Sequence, residues 1–216
     1  LKSSGFCCIN YEGEYLLKIQ NEFLDANTGR NKLSNIRSII KGFSNIQKYC
    51  KNNSLLDIND NDIEFINKSF TKDDEGETIF PIDKDDFNFR ISYQNEQKFN
   101  KNSAMISNML DTWSNNKKVY RYINRISFRK DGFPITIDIS IVKSNITDKF
   151  NRPIKQYQIN NPNIFDNNPK YEIEIELDNK KIGEGTPFNS PDKIEKYIKK
   201  TIIYILSGIQ NTNYPV

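Results

Sequence analysis

Residues 171 to 177 read Tyr171-Glu172-Ile173-Glu174-Ile175-Glu176-Leu177. Successive side chains of a β-strand point to opposite faces, so Glu172, Glu174 and Glu176 share one face and Ile173, Ile175 and Leu177 the other. Same-face neighbours lie ~7 Å apart, where two carboxylates repel by ~2.4 kcal/mol at an effective dielectric of ~20. In open water the same repulsion falls to ~0.6 kcal/mol. A solvated sheet face with lysines across from it therefore tolerates the triplet. An enclosed face needs a cation, and a hard divalent ion is the natural one. Spacing alone leaves both readings open.

Working outward, the clearest hairpin lies just before this strand. In residues 119 to 129, Tyr120, Tyr122, Ile126 and Phe128 face one side, and Arg121, Ile123, Arg125, Ser127 and Arg129 the other. Asp131-Gly132 is a strong turn signal. The return strand alternates Ile135, Ile137, Ile139 and Ile141 against Thr136, Asp138, Ser140 and Val142. One strand thus presents only carboxylates on its polar face, and its neighbours mostly arginine. That segregation predicts an α+β fold built on a closed antiparallel β-barrel, with helices packed outside and a hydrated, charged lumen. Arginines and glutamates pairing across an ordinary sheet surface are the alternative.

The rest of the chain supplies supporting elements. Residues 12 to 25 are ambiguous; read as a strand, they place Tyr15, Leu17 and Ile19 on one face and Glu14, Leu16, Lys18, Gln20 and Glu22 on the other. Thr28-Gly29-Arg30 makes a turn. Leu33, Ile36, Ile39, Ile40, Phe43 and Ile46 follow at helical spacing, with Ser34 or Asn31 as cap, and predict an amphipathic helix whose stripe is core. Residues 51 to 62 are loop, 63 to 70 a short strand and 71 to 78 an acidic turn. Phe87, Phe89 and Ile91 alternate with Asn88, Arg90 and Ser92 in a half-buried strand. Residues 105 to 113 suggest a helical or irregular connector, and 145 to 169 a polar loop. Ser190-Pro191-Asp192 opens a last helix, with Ile194, Tyr197, Ile198, Ile202 and Leu206 on its buried face and Gly208 at its end.

Composition bounds the function. The 216 residues suit one sizeable domain, and the apolar share of 36% is low, although 14 Phe and 11 Tyr can build a core. The 31 basic and 28 acidic residues leave a formal charge of +3, which does not by itself argue for nucleic acid. No apolar run approaches a membrane span, and a chain opening on Leu1 reads as a piece of a longer polypeptide. Three cysteines without metal-ligand spacing, and no histidine, exclude a zinc site or a histidine base and suggest an intracellular protein. Asn52, Asn67 and Asn145 fall in N-x-S/T triplets, which so Asn-rich a chain makes by chance. A Gly-rich phosphate loop, a nucleophile elbow and a Cys/His pair are all missing. What remains is a cluster of carboxylates to hold Mg²⁺ or Mn²⁺, arginines to fork onto phosphate oxygens, and a spare glutamate to activate water. Those parts suffice for metal-assisted hydrolysis of a terminal phosphate.

Three motifs together carry a resemblance: the EIEIE strand, the R-x-x-x-R-x-S-F strand (Arg121, Arg125, Ser127, Phe128) and I-D-I-S-I-V-K from Ile137 to Lys143. They resemble the triphosphate tunnel metalloenzymes, and within them the RNA 5′-triphosphatase domain that opens the mRNA capping enzymes of large DNA viruses and related cytoplasmic linear elements. The tail from Leu206 to Pro215 resembles the junction to the guanylyltransferase domain of those enzymes. The likeness is good over residues 87 to 216 and poor over 1 to 80.

The resemblance implies an eight-stranded tunnel over residues 1 to 216, dependence on Mg²⁺ or Mn²⁺, and removal of the γ-phosphate of nascent mRNA. It implies triphosphate-ended RNA as substrate, with nucleoside triphosphate or tripolyphosphate as further candidates. Guanylyltransferase and methyltransferase domains would follow in the same polypeptide, in the cytoplasm or a viral factory, with neither DNA nor membrane as partner. Site by site, it implies Glu172, Glu174, Glu176 and Arg125 in catalysis, and Arg90, Arg121, Arg125 and Lys18 on phosphate. Glu14, Glu174 and Glu176 would hold the metal, and Asp138 would support the lumen. Ile123 and Thr136 stand where many relatives carry lysine and arginine. The family's opening E-x-E motif fits Glu14-Tyr15-Leu16 with Leu16 at the second glutamate, or Glu12-x-Glu14, or Gln20-x-Glu22; these differ by even steps, so periodicity does not choose among them. The resemblance leaves two alternatives: a general tripolyphosphate or nucleoside-triphosphate phosphohydrolase, and a degenerate tunnel serving as a docking platform.

Overall fold

The computed structural model describes residues 1–85, 88–161 and 163–209. The strands among them are β1 (Cys7–Cys8), β2 (Glu14–Asp25), β3 (Arg30–Leu33), β4 (Ile36–Lys41), β5 (Ile63–Phe70), β6 (Ile82–Lys84), β7 (Phe89–Ile91), β8 (Gln94–Phe99), β9 (Lys118–Arg129), β10 (Ile135–Ser144) and β11 (Lys170–Leu177). The helices are α1 (Phe43–Asn52), α2 (Ala104–Asp111) and α3 (Pro191–Ile209). No described helix is long and apolar enough to cross a membrane. The fold is α+β. Its main sheet runs in the order β11-β10-β9-β2-β4-β5-β8, with β1 added on β9 and β3 on β2, while β6 and β7 pair separately.

The closed barrel expected from the sequence is not formed: among the described residues this order is an open path. At one end β8 pairs with β5 only, and its first five residues, Gln94 to Lys98, are polar and exposed. At the other end β11 pairs with β10 only. The chain divides into two compact units.

The first unit comprises Leu1–Glu14, Ile123–Val142 and the chain from Pro169 through α3. The Asp131-Gly132 turn, with Gly132 at φ 72°, returns β9 into β10. β10 and β11 are antiparallel, with Thr136 opposite Glu176, Asp138 opposite Glu174 and Ser140 opposite Glu172. β1 zips onto β9, and Asn10 caps the junction: its Oδ1 accepts from the Ser127 N–H at 2.6 Å and its Nδ2 donates to the Arg125 carbonyl at 3.3 Å. Phe6, Phe133, Ile135 and Ile137 form the core, against which Tyr197, Ile198, Tyr204 and Ile205 of α3 pack. α3 starts at Pro191, as the sequence indicates, but runs through Gly208, whose φ is not left-handed. The Leu206–Pro215 motif lies outside the described residues from 210 onward.

The second unit comprises Tyr15–Tyr122 and Lys143–Asn168. Residues 14 to 25 are a strand, with Leu17 and Ile19 fully buried. The helix expected over residues 33 to 46 is instead a strand, β4, followed by α1. Ile36, Ile39 and Ile40 match the helical period, but as a strand they are buried on both faces, Ile39 opposite the other two, and isoleucine is stiff at χ1 and favours the pleated surface. Gly42, at φ 87°, makes the switch from strand to helix. Residues 63 to 70 form a strand, and α2 fills the connector. β7 is short and largely exposed, and Phe87 lies outside the described residues. The polar loop of 145 to 169 contributes core, because Ile159 and Ile164 are buried beside Tyr49 and Tyr120. Asn145 spends its amide inside: Oδ1 accepts from the Tyr120 N–H at 2.6 Å and Nδ2 donates to the Ile154 carbonyl at 2.8 Å.

Candidate metal centre

In the first unit both faces of the sheet hold buried residues: Ile135 and Ile137 pack with α3 on the apolar face, while on the polar face Asp138 is 4% and Ser140 2% exposed. Burying a carboxylate without compensation is costly, so Asp138 must be paired or must meet an ion. Arg125 supplies part of the answer. From β9 its Nη1 reaches Asp138 Oδ2 at 2.9 Å and its Nη2 pairs with Glu174 Oε2. Its Nε lies 3.4 Å from Ser140 Oγ, a longer contact.

The register places Asp138 and Glu174 side by side on neighbouring strands, and Glu176 follows two residues along the same face. One carboxylate oxygen from each of Asp138, Glu174 and Glu176 lies within 4.8 Å of the other two. Trans oxygens around a magnesium-sized ion are ~4.2 Å apart, so the three need draw in only slightly to share one. Asp138 Oδ1 is buried and has no hydrogen-bond partner among the described residues. Other buried acceptors share that state, Asn67 Oδ1 and Asn124 Oδ1 among them, but Asp138 carries a carboxylate charge whose burial is far more costly. Three clustered carboxylates, one of which has an orphaned oxygen, fit a hard divalent cation.

The remaining expected residues distribute as follows. Glu172 is half-buried opposite Ser140, and Glu176 is exposed. Glu14 is half-buried and Glu12 exposed, and neither joins the carboxylate cluster among the described residues. Leu16 is buried and Lys18 half-buried on β2 in the second unit, opposite Lys41 and Ile39 of β4. Glu22, the acidic residue of the third register, is buried in an ion pair with Lys155. Arg121 is half-buried in the second unit. Arg90 is exposed in the second unit and forks onto Asp83, with Nε at 2.6 Å and Nη2 at 3.0 Å.

Sequence reasoning gave Asp138 only a supporting place, whereas it is the most buried member of the carboxylate cluster. The missing information was register: the 25 residues from 145 to 169 separate β10 from β11 and leave their alignment undetermined. Arg129 was also passed over. It is exposed, and its Nε donates to Thr136 Oγ1 at 3.1 Å, on the residue opposite Glu176.

No family model, no curated protein and no solved structure matches this chain.

Proposed function

We propose that this chain is a divalent-metal-dependent phosphohydrolase of the triphosphate tunnel type, removing the terminal phosphate from triphosphate-ended RNA. The observation that carries the reading is the buried, unpartnered Asp138 Oδ1 within a cluster of three carboxylates. Asp138, Glu174 and Glu176 are the ligands, and Mg²⁺ or Mn²⁺ is the ion that an all-oxygen set prefers. Bound there, such an ion polarises phosphoryl oxygens and offsets the charge that develops on them. Glu172, on the same face two residues before Glu174, takes the proton from the attacking water. Arg129, exposed at the Glu176 end, meets the phosphate oxygens with its guanidinium. The resemblance in the EIEIE, R-x-x-x-R-x-S-F and I-D-I-S-I-V-K motifs supplies the substrate class.

The test is phosphate release by the purified chain from γ-labelled triphosphate-ended RNA, inorganic triphosphate and ATP, with Mn²⁺ or Mg²⁺. Release from RNA, lost in Glu174→Ala while the circular dichroism spectrum is kept, is the expected result. Release from inorganic triphosphate and ATP but never from RNA would reassign the substrate to small polyphosphates. No release from any of the three with either ion would overturn the proposal.

A further inference from the structure

The family resemblance assigns Arg125 to the phosphate, but its geometry suits a different task. Its side chain is 13% exposed, and its two terminal nitrogens are committed to Asp138 Oδ2 and Glu174 Oε2. A guanidinium is a rigid planar fork, so a single arginine can fix two carboxylates on neighbouring strands at a set separation. It takes one oxygen of Asp138 and leaves Oδ1 buried without a partner. Carboxylates that ligate a metal are commonly oriented in this way, by a hydrogen bond to the oxygen the metal does not use.

We propose that Arg125 is the positioning residue of the metal centre, clamping Asp138 and Glu174 so that Asp138 Oδ1 is reserved for the ion. The inference rests on the metal-dependent reading given above. It makes Arg125 part of the metal site before any phosphate arrives.

Two physical effects of removing Arg125 have opposite signs, and this makes the proposal decidable. By Coulomb's law alone, taking a positive charge away from the carboxylates tightens binding of a divalent cation. Losing the clamp loosens it, because the carboxylates must then be ordered by the ion itself. Oriented ligand shells of this kind are typically worth ~10–100-fold in metal affinity. An arginine reserved for phosphate has no clamp to lose, so its removal would leave metal affinity unchanged or raise it.

The experiment is a Mn²⁺ titration followed by electron paramagnetic resonance, without phosphate or substrate, on the wild type, Arg125→Ala and Arg125→Lys. Positioning predicts affinity weaker by ~10–100-fold in Arg125→Ala. It predicts little recovery in Arg125→Lys, which keeps the charge but cannot bridge two carboxylates as a fork. Affinity equal to or tighter than wild type in a folded Arg125→Ala overturns the proposal. If Arg125→Ala does not fold by circular dichroism, Arg125→Lys decides: weakened binding supports the clamp and wild-type binding overturns it. Wild-type protein that binds Mn²⁺ and hydrolyses triphosphate, beside unweakened variants, refutes the clamp and leaves the proposed function standing. Wild-type protein that takes up no Mn²⁺ refutes both.

Discussion

Glu174 answers to two neighbours at once: it faces Asp138 across the ladder and holds one half of the Arg125 fork. On the proposed function its removal costs both a ligand and the clamp, and turnover in Glu174→Ala should fall by at least the ~10²–10³ typical of losing one charge-stabilising group. A steady-state assay on folded protein checks this, and near-wild-type turnover would count against the site. In the second unit, Lys118 shows what burial does to an ionisable group that hydrogen-bonds to carbonyls. Its ammonium donates to the Asn116 and Tyr157 carbonyls at 2.8 and 3.1 Å and lies 5.0 Å from the centre of the Trp113 ring. Burial lowers its pKa from 10.5 to about 8. Between those two values the unfolded chain holds a proton that the folded chain has released, so stability rises with pH across that window. Burial also raises the phenols of Tyr49 and Tyr120, and these act in the opposite sense once the unfolded phenols ionise. Calorimetry should show Tm climbing between about pH 8 and 10, and Lys118→Met should flatten the climb. A slope identical in the two proteins would rule Lys118 out as its source.

The individual elements show where periodicity decides and where it fails. β9, β10 and β11 were legible because apolar and polar residues largely alternate along each and Asp131-Gly132 fixes the turn between the first two. β4 was not, because Ile36, Ile39, Ile40, Phe43 and Ile46 match a helical stripe. The spacing actually straddles a strand and the start of a helix, joined at Gly42. Ile40, the penultimate residue of that strand, is fully buried and paired with Leu17 and Ile63. Ile40→Ala should cost about 2–5 kcal/mol in urea unfolding, the range for emptying a packed isoleucine site. A loss below about 1 kcal/mol would mean that the strand is not packed as described. The candidate site shares this partial legibility. The glutamate face and Arg125 were visible as residues, but the partner that orphans an oxygen, Asp138, depended on a register carried by a long loop.

For the whole molecule, the sequence carried the α+β class and the antiparallel pairing but not the open strand order. Closure is a property of the two end strands, and nothing in Gln94 to Lys98 signals whether a second neighbour is present. Chain connectivity was equally hidden. The first unit is assembled from three separated stretches, and Leu1–Glu14 contacts residues far along the chain through Asn10 and β1. Removing residues 1 to 10 should abolish Mn²⁺ uptake while the fluorescence of Trp113, buried in the core of the other unit, stays native. Retained uptake would show that the first stretch is dispensable. This threading also fixes a timetable for synthesis. The earliest segment of the first unit leaves the ribosome before the rest of that unit, whose last strand and helix emerge some 170 to 200 residues later. At ~5–20 residues per second that is a wait of ~10–40 s, during which Phe6 lacks the Tyr204 ring it meets in the fold and stays within reach of chaperones.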